Sequence, residues 1–141
     1  MLDPEFERLL RSIYADTSTI AIVGATRNED KPGFYIPQYL RTQGYRIIPV
    51  NPAYDDVFGE RSYPTLIDVD VPIDVVDVFR PSSEAPSIAT DAVSVGAKVL
   101  WFQPGIVSDS AAAIAQEAGM TVIMNRCMGA THAELGLGEG P

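Results

Sequence analysis

Apolar positions along the chain fall into two rhythms. Leu2, Phe6, Leu9, Leu10 and Ile13 recur at helical spacing, so residues 3–15 are predicted as an amphipathic helix filling the N-terminal segment 1–15. The rhythm then changes to short β-branched runs. Thr19–Val23 predicts a first strand ending at Gly24, and residues 45–50 a second strand ending at Asn51-Pro52. Residues 73–79 predict a third strand closed by Arg80-Pro81, residues 98–103 a fourth closed by Pro104-Gly105, and residues 120–124 a fifth. Helices are expected between them: about 34–42 ending before Gly44, with Pro37 near the first turn, then from Ser82 or Ser83 to Val95, and from Ser108 or Asp109 to Gly119. Residues 53–72 read as irregular, with one helical turn near Leu66–Val69, and the chain from Asn125 as a fraying tail, flexible from about residue 136.

Four strand-to-helix alternations, with strands that are almost wholly apolar, predict an α/β fold: a Rossmann-like, doubly wound, parallel five-stranded sheet covered on both faces. The expected strand order is 3-2-1-4-5. The chain of 141 residues, 46% hydrophobic and 21% charged, suits one domain spanning residues 1–141. One cysteine, Cys127, permits no internal disulfide and fits a reducing compartment. No signal-peptide pattern is read at the N-terminus, and no apolar run reaches the roughly 20 residues of a membrane span. A cytoplasmic location is therefore expected. A net charge of −9 argues against nucleic-acid or anionic-membrane binding.

Such sheets bind ligands beyond the carboxyl ends of their strands. Four of the ten Lys and Arg residues, Arg27, Lys31, Arg80 and Arg126, fall in loops predicted for that edge, an arrangement suited to an anion. Gly24-Ala25-Thr26 follows the first strand directly. Glycine admits close approach of a phosphate, the following helix offers free N–H groups, Thr26 a hydroxyl and Lys31 a charge. The segment is neither G-x-G-x-x-G, because Thr26 and Glu29 stand at the later glycine positions, nor a P-loop. NAD-binding domains place an acid at the end of the second strand; here Val50-Asn51-Pro52 stands there, and Asp55 and Asp56 come later. That counts against NAD.

The segments 21–26, 30–32, 44–52, 74–80, 101–105 and 125–128, in this order and spacing, resemble the small stand-alone CoA-binding proteins, which are similar to the N-terminal domain of the succinyl-CoA synthetase α subunit. The resemblance covers about residues 15–135 and implies a Rossmann-like domain for coenzyme A. By resemblance, Gly24, Ala25, Thr26 and Lys31 meet the phosphates, and Val50, Asn51 and Pro52 together with Trp101, Phe102 and Gln103 line the site. Arg27, Arg80 and Arg126 are added from charge placement alone. Two positions depart from the common pattern: Thr26 replaces Ser and keeps the hydroxyl, and Thr131, before His132, stands where Glu is common.

The synthetase also needs a phosphohistidine from a second domain and a β subunit. This chain has one histidine, His132, read as a solvated or capping residue near the C-terminus, and Cys127 with His132 lacks the further ligands of a zinc site. The expected function is therefore binding of CoA or an acyl-CoA as carrier, sensor or protective holder, without catalysis. The competing readings are a small NAD(P)-dependent oxidoreductase and a synthetase component that needs a partner. Cys127 is expected on the ligand edge, where it either exchanges disulfides with the CoA thiol or packs as a small hydrophobe.

Overall fold

Asp3 opens the first helix by accepting the Phe6 N–H at 3.0 Å, with Pro4 in the first helical position. This helix, α1 (Pro4–Asp16), leads into β1 (Thr19–Val23). The computed structural model describes residues 2–138. The chain continues through α2 (Pro32–Thr42), β2 (Arg46–Val50), a hairpin of β3 (Asp56–Val57) and β4 (Glu60–Arg61), and a 3₁₀ turn at Leu66–Asp68. Then come β5 (Val75–Val78), α3 (Ala85–Ser94), β6 (Val99–Phe102), α4 (Asp109–Glu117), β7 (Thr121–Ile123) and α5 (Met128–Glu134).

All five long strands are parallel and form one sheet, as the alternating pattern predicts. Its order, however, is β2-β1-β5-β6-β7. The third of the long strands lies against the first, not outside the second, so the predicted order 3-2-1-4-5 is corrected to 2-1-3-4-5. Pro49 gives the physical reason. A proline cannot donate to a further strand, so it suits an edge. Beyond β2, at the sheet edge, the chain around Tyr63 runs alongside, and the Tyr63 N–H donates to the Pro49 carbonyl at 3.1 Å. The crevice of this layout therefore falls between β1 and β5, where the connections diverge.

The sheet separates two apolar clusters. On one face, Ala21, Ile48, Val76, Val78, Leu100 and Phe102 pack under the helices α3 and α4. On the other, Ile20, Ile22, Ile47, Val75, Val99 and Trp101 pack under α1, α2 and α5. The segment read as a fraying tail carries α5, whose Met128, Thr131 and His132 are buried. Leu135 and Leu137 join the second cluster, and residues 139–141 lie outside the described residues. His132 is thus neither solvated nor capping. Its ring sits edge-on among Tyr14, Tyr39 and Tyr45, with Nδ1 2.9 Å from the Tyr39 hydroxyl.

Candidate functional site

The N-terminus of α2 differs from its predicted start in a way that shapes the site. Pro32, not Phe34, opens the helix, so Pro37 lies in its interior. A proline there removes the N–H that would reach the carbonyl four residues back. That carbonyl belongs to Gly33, and it accepts instead from the Thr26 N–H at 3.4 Å. The helix and the loop after β1 are thereby tied together.

The tie needs glycine on both sides. Gly24 has φ of +96°, and a Cβ there would stand 3.0 Å from the Arg80 side chain. A Cβ on Gly33 would stand 2.7 Å from the Gly24 carbonyl oxygen. The N–H groups of Ala25 and Gly33 meet no acceptor among the described residues. Free donors at a helix N-terminus beside a glycine turn suit an anionic group.

Above this turn, at the ends of β1, β5 and β6, opens a cleft of about 480 Å³. Gly24, Thr26, Lys31, Gly33, Arg80 and Gln103 supply its polar lining, and Ile36, Phe79, Pro104 and Ile106 much of its apolar wall; Cys127 and Asn51 also border it. A second cleft of about 350 Å³ lies on the α3 side, bounded by Val50, Pro52, Pro64, Leu66 and Ile88. Gly24, Asn51 and Arg80 border both clefts and form the saddle between them. Asn51 is itself committed. Its Nδ2 donates to the Ala25 carbonyl at 2.8 Å, and its Oδ1 accepts from the Ala53 N–H at 2.8 Å. It pins one loop to the other where a dinucleotide-binding domain would present a free carboxylate.

The charges read for this edge have unequal fates. Arg27 is paired with Asp56 and stacked over Tyr54, outside the cleft lining. Arg80 borders both clefts but is paired with Glu84 at 2.7 Å. Arg126 is turned away, over Phe6 and toward Glu134, and does not reach the cleft. Lys31 alone of the four makes no ion pair among the described residues, and it faces the cleft. Trp101 and Phe102, named from the resemblance, have no exposed surface. Their side chains pack on opposite faces of the sheet, because neighbouring strand residues point to opposite sides. They act as supports: Trp101 Nε1 donates to the Arg126 carbonyl at 2.7 Å, and the Phe102 carbonyl accepts from the Arg126 N–H. Ala25 is likewise buried and contributes only backbone.

Residues absent from the sequence reading also shape the site. The hairpin segment is strapped to the glycine loop through Thr26 and Tyr54, whose hydroxyls lie 3.2 Å apart, and to α2 through Phe58 against Phe34. The Thr26 contact, aided by nearby Arg27, holds the Tyr54 phenol below its ordinary range. Below the cleft, Gln103 Nε2 donates to Asp77 Oδ1 at 2.6 Å, and burial pushes the Asp77 carboxyl up to about 7. An acid within an apolar strand run was the available signal for Asp77. Cys127 is partly exposed at the cleft wall, with Sγ 3.4 Å from the Ala130 N–H. Among the described residues no group of ligands could hold a metal ion, and no helix is long and apolar enough to cross a membrane.

Known proteins resemble this chain along most of its length. The uncharacterized protein YneT of Bacillus subtilis is 36% identical over 124 residues, which cover 88% of this chain and 92% of YneT. The solved structure of a Thermus thermophilus protein aligns with a TM-score of 0.88 at 35% identity, covering 92% of this chain and 98% of the other. An ADP-forming acetate–CoA ligase of Methanocaldococcus jannaschii is 32% identical over 80 residues, 57% of this chain but only 11% of the ligase. The sequence profile of the CoA binding domain matches residues 18–133. By that match, the chain belongs to the CoA binding domain family.

Proposed function

We propose that this domain binds coenzyme A or an acyl-CoA reversibly in the cleft between the ends of β1, β5 and β6, as a cytoplasmic carrier, sensor or protective holder. One observation supports this above the others: Lys31, free of any ion pair among the described residues, stands beside the Gly24–Gly33 approach and its unused N–H donors. Phosphates suit that corner, and the two clefts joined at the Gly24–Asn51–Arg80 saddle suit an elongated ligand. Family membership favours CoA over other phosphate-bearing nucleotides. Asn51, consumed in holding loops, leaves no acid for the ribose hydroxyls of NAD.

The reading assigns no catalytic step to this chain. Its single histidine is buried among three tyrosines, out of reach of solvent, so it is poorly placed to carry a phosphoryl group. Titration calorimetry tests the ligand. CoA is expected to bind at least about tenfold more tightly than NAD, a margin of about 1.4 kcal/mol. Equal or tighter binding of NAD would overturn the assignment.

A further inference from the structure

Asp77 lies in β5, the central strand, between Ile22 and Trp101 in register. It has no exposed surface. Oδ1 takes the Gln103 amide, and Oδ2 has no partner among the described residues. The nearby Tyr14 hydroxyl cannot serve it, because that hydroxyl is committed to the Met128 carbonyl at 2.6 Å. A carboxyl group so placed costs stability, so packing does not account for it.

Gln103 supplies a reason. It is only 4% exposed, yet it lines the cleft. Strand alternation points Asp77, Trp101 and Gln103 to the same face, the one beneath the cleft. One N–H of the Gln103 NH₂ is committed to Asp77. Among the described residues no donor reaches its Oε1, and that oxygen is not sealed from solvent as Asp77 Oδ2 is. The carbonyl is therefore an unused acceptor left to the cleft. A glutamine amide can present either end, whereas the ionised Asp77 carboxylate, the form present at mildly alkaline pH, only accepts. Asp77 removes the choice.

We propose that Asp77 is a positioning residue, which locks the Gln103 amide so that the cleft floor offers a fixed acceptor for an N–H-bearing ligand arm. This rests on the CoA reading, under which the donors are the secondary amides of the pantetheine arm. An arm that carries only acceptors is disfavoured at the same point.

The test compares CoA with 3′-phospho-ADP, its nucleotide half, at mildly alkaline pH, where Asp77 is ionised, on wild type, Asp77→Asn and Asp77→Leu. Leucine removes the acceptor, and CoA is expected to weaken by about tenfold or more; asparagine can hold the amide either way round and should weaken it by about threefold. Affinity for 3′-phospho-ADP should stay constant across the three, and the melting temperature at mildly alkaline pH should not fall with CoA affinity. In the wild type, NMR of the side-chain amides should show the Gln103 NH₂ protons shifted by Asp77 and further perturbed by CoA, but not by 3′-phospho-ADP. CoA affinity equal in all three proteins, or both ligands weakening in parallel, would overturn the positioning role, as would a Gln103 amide indifferent to CoA. Wild-type protein that binds neither compound would overturn the CoA reading itself, and the positioning role with it.

Discussion

The two faces of the sheet are built differently. The face under α3 and α4 is aliphatic and aromatic, and its buried side chains are almost free of polar atoms. The face under α1, α2 and α5 buries Asp77, Gln103, Thr131 and His132 beside its apolar residues. Both buried side-chain atoms without partners among the described residues, Asp77 Oδ2 and His132 Nε2, belong to this second face. The larger cleft opens on the same side, toward Ile36 of α2 and Cys127. Local rules of packing and polar satisfaction are kept on one face and relaxed on the other, as expected where a binding site has been placed on a stable frame.

This contrast predicts where stability and affinity separate. The largest effect belongs to the apolar face. Leu100→Ala should cost about 2–5 kcal/mol in a urea melt, the range for a buried leucine, while the folded protein keeps its CoA affinity. A small cost there would remove the contrast. On the other face, Asp77→Asn should act in the opposite sense. The folded protein binds the Asp77 proton more tightly than the unfolded chain does. The stability so gained is complete below the ordinary carboxylate range and is lost as pH rises through about 7. Asparagine should therefore stabilise the protein at mildly alkaline pH, and the gain should shrink toward acid pH. A pH-independent difference between the two melting curves would contradict it.

Smaller effects separate the ligand edge from its opposite. Lys31→Ala should weaken CoA by roughly 1–3 kcal/mol in calorimetry, the range for charge-assisted contacts, with little change in melting temperature. Lys98 pairs with Asp74 at the other end of the strands, and Lys98→Ala should leave affinity unchanged. The smallest effect is expected from Pro37→Ala. The restored N–H competes for the Gly33 carbonyl and loosens the Thr26 tie, weakening CoA by about 1 kcal/mol, one hydrogen bond's worth.

The strands and most helices were legible because each carries its own signal. The runs at Thr19–Val23 and Val75–Val78, and the glycines at 44, 96 and 119, mark elements without reference to anything distant. Sheet order was less legible, because it depends on which strand accepts an edge; Pro49 held that information and was read only as part of a strand. The helix α5 was missed because its stability comes from distant partners, such as Tyr14 on the Met128 carbonyl, and its glycine-containing seven residues have little helical signal alone. For the site, Gly24, Lys31, Asn51 and Gln103 followed from strand ends and the family resemblance. The resemblance also named Trp101 and Phe102, whose side chains are buried as neighbours on opposite faces of the sheet. The fate of the arginines was invisible, since pairing with Asp56, Glu84 and Glu134 is decided by the folded geometry.

The central claim is that CoA occupies the cleft at the β1–β5 crevice. An amide ¹H–¹⁵N NMR titration with CoA tests it most directly. Saturable shifts are predicted at Gly24, Ala25, Gly33 and Gln103, with Lys98 and Thr121, at the far end of the strands, unmoved. Shifts gathered around Asp74 and Lys98, or none at any CoA concentration, would contradict it.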